Sequence, residues 1–491
     1  MAANTTRRRL FWGLLIAVPP ALTVRADADL WWHLLAGRRI LDKGHLPRVD
    51  DWSYVAAGSP WVDHEWAFEI IGALAFDTGG ALGMLGMRAV FLAVLVGAWL
   101  LTLRERLPSD LLCWIVVGLP LPMLARLCNA RPQTLTWTLV PVVLWLVDRV
   151  ATGKNWAPWA LVATVWLWVN LHGGFLFGWG IAGLGLLLTA AGVEGARPSR
   201  AQRIQRLAAV ALLLIVPVVN PYGLDLLRYI WHELGAAHPT LMEWNPPVNA
   251  LRVLIAVAAA APLVVWLLHR GPIRATSWVA LLVATLAAMQ AAKFLALVLI
   301  VAAICFADAL GPLVQRRLDG SDGPALRGFL ENKWAQAAAL GVLICLHIPF
   351  IVGSPGTMTV DRKLYPVEAV AWLAATESEG RLALPLGWGG IALYHLWPAW
   401  TVSMDGRNTT VFDIDEVAAQ THAIMAGDPA PFLSDDPDAF LIPTEGPLDE
   451  ALQNVPGWER RFAGPTGVVW VRRGHGLVDP AEMPAIPSVF P

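Results

Sequence analysis

The chain has 491 residues, of which 56% are hydrophobic and 15% charged, and its mean hydropathy is +0.53. These values exclude an ordinary soluble globular protein and predict an integral membrane protein. The formal net charge of −2 gives no basic excess to neutralise a phosphate backbone, so the composition argues against nucleic acid as a partner.

Apolar runs recur along the chain, and each approaches the roughly 17 to 25 residues that a transmembrane helix needs. The first run follows Arg7, Arg8 and Arg9 and precedes "ADA", so a cleaved signal peptide is the alternative to a first span. Either interpretation exports residue 25 and the loop after it. We predict about eleven transmembrane helices, near residues 9–24, 83–103, 110–127, 133–148, 156–172, 174–193, 206–220, 250–268, 276–292, 294–312 and 334–352.

Lys and Arg identify the cytoplasmic loops, because such loops retain basic residues. Basic residues fall on alternate loops, which makes the N-terminus cytoplasmic. We interpret Arg104, Arg106, Arg274 and their neighbours as topology signals only. An odd number of spans then places everything after residue 352 outside the cytoplasm.

The segment after residue 352 differs in composition, since Pro, Gly and Asp increase and no further span appears. The strings "DAFLIP" and "GVVWVRR" predict short strands separated by turn residues. We therefore predict a polytopic α-helical membrane module over 1–352, with a first outer loop at 25–82. A small soluble α/β domain over 353–491 would follow on the outer face.

Ionisable side chains gather in the predicted outer loops. The first loop opens with Asp27 and Asp29 and closes with "WVDHEWAFEI", which contains His64 and Glu65. Ionisable groups at membrane depth are costly and usually mark a substrate path or a reaction site. Their shared side predicts an acid/base and anion-binding site. The later outer loops add Arg131, His172, Tyr222, Arg228 and Lys293.

The acidic residues also have structural interpretations. Asp29 precedes "LWWHLLAGRRI", which has the pattern of an interfacial helix, so its carboxylate could serve only as an N-cap. His64 and Glu65 could form a satisfied pair at the membrane interface.

The remaining candidates have structural alternatives of their own. His172 in "NLHGGF" could be a hydrogen-bonded histidine at a close helix crossing. Arg131 and Lys293 could extend their charged ends to the interface. "DGR" at 405–407 is more typical of a turn than of a site.

The predicted position of the site restricts its chemistry. Nucleotides are not normally supplied outside the membrane, and the sequence has no Walker or Rossmann glycine pattern. A polyprenyl-phosphate sugar could serve as donor, because its chain stays in the bilayer while cations bind its phosphate. A carboxylate would then remove the acceptor hydroxyl proton during displacement at the anomeric carbon.

Several strings together resemble a bacterial branch of the GT-C integral-membrane glycosyltransferases: "DADLWWHLLAGRRI", "GSPWVDHEWAFE", "ARPQ", "NLHGGF", "NPYG", "WGG" and "DGR". The resemblance implies that Asp29 is the catalytic or metal-associated first-loop carboxylate, with Asp27 as its companion. Related enzymes often carry Lys-Pro-Pro where this chain has Asp63, His64 and Glu65. The resemblance therefore leaves the phosphate contact open among Arg131, His172 and Lys293.

A divalent cation such as Mg²⁺, Mn²⁺ or Ca²⁺ is a further option, because Asp27, Asp29 and Glu65 offer hard oxygen ligands. These considerations predict a glycosyltransferase of the bacterial inner membrane with a glycan, lipid or protein acceptor. The alternatives are a polymerase or ligase of lipid-linked glycans, a flippase or transporter, and a non-catalytic assembly factor. A transporter would show an internal repeat and polar residues at mid-span, and the sequence shows no such repeat.

Overall fold

The computed structural model describes residues 12–17, 26–127, 130–235, 242–348, 358 and 360–481. The first predicted span, 9–24, lies largely outside these residues. The described residues divide into two compact units. The first unit falls within Met1–Thr23, Leu85–Gly223 and Leu241–Gly356, and the second within Val24–Met84, Leu224–Thr240 and Thr357–Pro491.

From residue 30 onward, the α-helices are α1 Leu30–Lys43, α2 Trp66–Leu103, α3 Asp110–Gly118, α4 Leu121–Leu127, α5 Gln133–Ala151, α6 Ala157–Val169, α7 Phe175–Ala191, α8 Arg200–Ile215, α9 Leu224–Gly235, α10 Asn249–His269, α11 Ala275–Gln290, α12 Leu295–Leu318, α13 Gly323–Glu331, α14 Lys333–Cys345, α15 Val367–Ala375, α16 Leu386–Leu396, α17 Ile414–Ala426, α18 Ala430–Leu433 and α19 Pro447–Leu452. The strands are β1 Gly380–Ala383, β2 Trp400–Val402, β3 Ala439–Pro443, β4 Trp458–Ala463 and β5 Gly467–Arg472. Short 3₁₀ turns cover Val216–Val218, Met242–Trp244, Ala292–Phe294 and Asn408–Thr410.

Five helical segments are long and apolar enough to cross a membrane: Trp66–Leu103, Gln133–Ala151, Arg200–Val218, Asn249–His269 and Ala292–Leu318. The shorter apolar helices α6, α7, α11 and α14 also lie on predicted runs. The membrane character of the prediction is thus confirmed, and the total of about eleven stays a prediction. Helix α2 starts earlier than the predicted run and contains one non-helical residue, Gly80, with φ 54° and ψ −136°.

The first unit is helical and holds a buried ion cluster. Arg106 contacts Asp148 on α5 at 2.5 Å and Asp308 on α12 at 2.9 Å. Arg274 lies 3.2 Å from Asp148 and also pairs with Asp308. The interpretation of Arg106 and Arg274 as topology signals only was therefore wrong, because both arginines neutralise carboxylates on apolar helices.

The second unit contains a five-stranded sheet in the order β2-β1-β3-β5-β4. Strands β2, β1 and β3 are parallel neighbours, whereas β5 runs antiparallel to both β3 and β4. Strands β3 and β5 confirm the predictions made from "DAFLIP" and "GVVWVRR". Phe432, Phe440 and Trp470 belong to the buried core beside this sheet.

The first loop is built into the same unit as this sheet. Ser53 forms a parallel bridge with Val402, Tyr54 N–H donates to Val402 O at 3.1 Å, and Val402 N–H donates to Trp52 O at 3.1 Å. Helix α1 packs against α16. Residues 52–54 therefore extend the sheet beyond β2, and the loop that carries Asp29 shares its unit with the C-terminal segment.

Candidate functional site

Asp29 stands at the N-cap position of α1, but its side chain makes no capping hydrogen bond. Its backbone is already helical, with φ −86° and ψ −24°, whereas capping residues usually have extended backbones. The neighbouring Asp27 makes the local backbone contact, because its Oδ1 accepts the Asp29 N–H at 3.2 Å. The capping interpretation of the Asp29 carboxylate is therefore wrong.

A histidine one helical turn after Asp29 joins α1 to the end of the loop. His33 Nδ1 lies 3.0 Å from Glu69 Oε1, and its Nε2 lies 3.7 Å from Glu65 Oε2. Glu65 also faces His64, with 3.6 Å between Oε1 and Nε2. The His64 ring lies 5.0 Å from that of Tyr229 on α9. Glu65 is thus placed between two imidazoles, and the predicted residues His64 and Glu65 do come together.

Asp63 completes this group of ionisable side chains. It shares a hydrogen bond with Glu69, and Glu65 N–H donates to its Oδ1 at 3.3 Å. Burial raises the pKa of Asp63 to about 6, although the Glu69 and Glu65 contacts and the positive charge of Arg407 oppose the rise. A hydrogen bond between two carboxyl groups requires a proton on one of them. The group can therefore hold a proton near neutral pH.

The "DGR" string forms a buried ion cluster. Arg407 is 2% exposed and donates to Asp50 Oδ1 at 2.6 Å and to both Asp405 oxygens at 2.7 and 2.8 Å. Its guanidinium lies 4.7 Å from the centre of the Trp52 ring and 4.6 Å from that of Trp61. The string does form a turn, but one whose side chains are fully engaged with the first loop.

In the first unit, the segment Met242–Trp244 supplies the partners of two predicted cations, Arg131 and Lys293. Arg131 Nη1 donates to Glu243 Oε2 at 3.1 Å, and Gln133 donates to the other oxygen of Glu243 at 3.4 Å. Lys293 Nζ lies 2.6 Å from the centre of the Trp244 ring. Arg131 and Lys293 therefore each have a specific partner here, which side chains extended only to the interface would not need.

His172 has a defined orientation between α6 and α7. Its Nδ1 accepts the Gly174 N–H at 3.0 Å and lies 2.7 Å from Thr136 Oγ1, which itself accepts the Trp168 Nε1–H at 3.2 Å. Because Nδ1 already accepts from a backbone amide, the Thr136 hydroxyl must donate to it. A neutral His172 therefore carries its proton on Nε2. A Cβ on Gly174 would overlap Thr136 Oγ1, as the predicted close helix crossing requires.

The last two predicted residues differ in exposure. Tyr222 is buried, and its N–H donates to Asn220 Oδ1 at 2.8 Å. Arg228 on α9 is exposed and pairs with Asp225 at 2.6 Å. The second unit thus contains Asp27, Asp29, His64, Glu65 and Arg228, and the first unit contains Arg131, His172, Tyr222 and Lys293.

Comparison with known proteins gives matches only among solved structures. No family model and no curated protein matches the chain. The apo oligosaccharyltransferase of Archaeoglobus fulgidus is 13% identical with a TM-score of 0.58, over 89% of this chain and 69% of that one. The oligosaccharyltransferase AglB of that organism, in complex with an inhibitory peptide and a dolichol-phosphate, is 11% identical with a TM-score of 0.56 over the same shares.

A third structure extends the likeness along nearly the whole chain. The mycobacterial arabinofuranosyltransferase AftD is 15% identical with a TM-score of 0.56, over 98% of this chain and 42% of that one. These neighbours are GT-C glycosyltransferases. The chain has the GT-C fold. The resemblance predicted from the sequence strings is confirmed at the level of fold.

The divalent cation that the sequence suggests would need three or more side-chain ligands arranged around one point. In the described part of the chain, no three or more His, Cys, Asp or Glu side chains are arranged to hold a metal ion. Asp27 and Glu65 instead bond to a backbone amide and to imidazoles. The three predicted oxygen ligands therefore do not fit a metal site, and we derive no step through one.

Several residues that contact the predicted site residues carry no local signal in the sequence. Asp50 and Arg407 lie 357 positions apart, so no local spacing could link them. The "DGR" and "WGG" strings were the available signal, since both belonged to the resemblance. Glu243 and Trp244 stood in a predicted outer loop, but nothing in the sequence identified them as partners of Arg131 and Lys293.

Proposed function

We propose that this chain is a glycosyltransferase that moves a sugar from a polyprenyl-phosphate-linked donor to a glycan, lipid or protein acceptor. The reaction would take place on the outer face of a bacterial inner membrane, with the N-terminus in the cytoplasm. The GT-C fold supports glycosyl transfer in general, and the dolichol-phosphate in one neighbour is a lipid phosphate of the proposed kind. The observation that carries the proposal is the place of Asp29 at the start of α1, one helical turn before the buried His33–Glu69 pair.

Asp29 acts as the general base in the proposed reaction. The acceptor hydroxyl oxygen attacks the anomeric carbon, its proton passes to the Asp29 carboxylate, and the bond from the anomeric carbon to the phosphate oxygen breaks. The phosphate leaves with the electron pair of that bond. Asp27 fixes the turn before α1 through its bond to the Asp29 amide. A base of this kind usually contributes about 10²–10⁴-fold to the rate.

His64 and Glu65 bind the sugar hydroxyls in this proposal. Both side chains are partly exposed, whereas His33 and Glu69 behind them are buried. The buried pair holds Glu65 in place and leaves His64 and Glu65 as the groups within reach of a ligand. Arg228 and Tyr222 have secondary roles, the first at the lipid phosphate and the second in shaping the loop after α8.

Arg131, His172 and Lys293 bind the donor phosphate. Arg131 donates a hydrogen bond to the Glu243 carboxylate. A phosphate oxygen is also a negatively charged acceptor, so the same guanidinium can donate to it. His172 presents an Nε2–H, because Thr136 and Gly174 fix its tautomer. Cations and N–H donors of this kind bind phosphate oxygens.

The proposal is tested by mass spectrometry of envelope glycans and lipid-linked sugars. Four strains are compared: a deletion, the deletion with the wild-type chain, with Asp29→Asn, and with Asp42→Asn. Asp42 is an exposed carboxylate on the same helix, so the control makes the same change of charge. We expect the wild type and Asp42→Asn to restore a missing sugar and Asp29→Asn to leave it missing. If Asp29→Asn restores the sugar at equal expression, Asp29 is not the base. If deletion changes no sugar, the transferase assignment fails.

A further inference from the structure

The buried Arg407 cluster is poorly explained as a source of stability. It brings one cation and two carboxylates out of water, and such clusters often stabilise no more than well-packed apolar residues of the same size. Asp50 is tied down further, because it accepts the Trp52 and Ser53 N–H groups at 3.1 and 3.2 Å. The cluster therefore fixes the turn at Asp405–Arg407 against the first loop at one defined place.

The residue inside this turn lies against the proposed base. A Cβ built on Gly406 would overlap Asp29 Oδ1 and would stand 2.6 Å from Trp32 Nε1. No real side chain tolerates such distances, so only glycine fits without displacing the Asp29 carboxylate or the indole. Gly406 thus forms one wall of the space that the Asp29 side chain occupies.

The "WGG" string supplies two more close approaches at the same place. A Cβ on Gly389 would lie 2.6 Å from Asp405 Cα, and one on Gly390 would lie 2.5 Å from Ala28 O. Helix α16 therefore touches the "DGR" turn through one glycine and the residue before Asp29 through the next. Both strings that the GT-C assignment left without a role converge on the start of α1.

We propose that the turn Asp405–Gly406–Arg407, held by Asp50, positions the Asp29 carboxylate for proton transfer. This inference rests on the proposed function of Asp29 as base. Arg407 acts as a positioning residue: its three N–H donors hold Asp405 and Asp50, and the backbone between them carries Gly406 to Asp29. The C-terminal segment thereby supplies part of the catalytic site without contributing a group that reacts.

The test compares Gly406→Ala with Gly387→Ala. Gly387 lies on α16 of the same unit, and a Cβ there would meet nothing within 4 Å. Each full-length variant is purified in detergent and mixed with membranes of the deletion strain, which contain both donor and acceptor. The rate of sugar transfer is then measured across pH.

Gly406→Ala should lower the rate by about tenfold or more, since a misplacement of ~1 Å can cost up to about 100-fold. The acidic limb of the pH–rate profile should also move to higher pH, because a methyl group against Asp29 Oδ1 excludes water and disfavours the ionised carboxylate. Gly387→Ala should keep the wild-type rate and limb. A merely structural turn would lower the amount of active protein without moving the limb, and that result overturns the inference.

A second variant covers the case in which Gly406→Ala does not fold. Arg407→Lys keeps the charge, but one ammonium cannot hold both Asp405 oxygens and Asp50 as the guanidinium does. We expect folded protein with a rate lowered by about tenfold, and a rate within twofold of wild type overturns the inference. The proposed function fails separately, when Asp29→Asn retains activity. If Asp29→Asn is inactive while Gly406→Ala matches Gly387→Ala, the function stands and the positioning role is wrong.

Discussion

The two units each bury an arginine cluster, and the two clusters differ in charge balance. Arg106 and Arg274 together face Asp148 and Asp308, so two cations meet two carboxylates. Arg407 alone faces Asp50 and Asp405, so one cation meets two. The balanced cluster joins the apolar helices α5 and α12. The unbalanced cluster holds Gly406 against the proposed base, and the positive charge of its arginine opposes the rise in the pKa of the buried acid Asp63.

The largest effect is expected from Arg407→Met. The change leaves two carboxylates buried without a cation, and breaking a buried pair in this way costs about 3–5 kcal/mol. Thermal unfolding of the purified chain measures the loss, with the exposed Arg473→Met as control. Equal melting temperatures for the two variants would mean that Asp50 and Asp405 do not need the Arg407 charge in the folded chain.

Arg106→Met should cost less than Arg407→Met, because Arg274 remains in contact with both carboxylates. We expect a loss near the lower end of the same range, about 3 kcal/mol. The matched control is Arg104→Met, an exposed arginine two positions earlier. A larger loss for Arg106→Met than for Arg407→Met would reverse the comparison of the clusters.

Asp63 should make the second unit respond to pH. Its folded pKa of about 6 lies above that of a free carboxyl, so the folded chain binds more protons than the unfolded chain between these two values. Stability should therefore fall as pH rises from about 4 to about 6. Asp63→Asn should flatten this part of the melting curve against pH, and Asp42→Asn should leave it as in wild type. An unchanged slope in Asp63→Asn would assign the response to another group.

The smallest effect is expected at a neutral hydrogen-bonded group. Thr136→Val removes the hydroxyl that accepts from Trp168 and donates to His172, which should cost about 1 kcal/mol. Thr285→Val is the control, since that hydroxyl donates to Leu281 O on its own helix. If Thr136→Val cost as much as Arg106→Met, the loss in Arg106→Met would not need to be explained by unpaired charge.

Local sequence patterns predicted the apolar helices and the strands β3 and β5, because hydrophobic runs and turn residues act over short distances. The place of Asp29 after the first run predicts it as a site residue, and this role stays a prediction. Long-range pairings could not be found in this way. The sequence around Asp50 indicates only a loop, and its pairing with Arg407 appears only in the structure. The sequence around Arg106 indicates only a topology signal, and its pairing with Asp308 likewise appears only in the structure. The sequence shows which residues are charged, but the partner of each buried charge depends on the fold.

The bridge between Ser53 and Val402 has a consequence for how the chain matures. Residues 52–54 cover the outer edge of β2, and exposed strand edges tend to pair with other chains. The ribosome makes the first loop early and β2 several hundred residues later, so residues 52–54 have no strand to pair with during most of synthesis. A nascent chain that stops before residue 400 carries Asp29 without its glycine wall. Completion of the C-terminal segment would therefore be the step that turns an exposed loop into a working site.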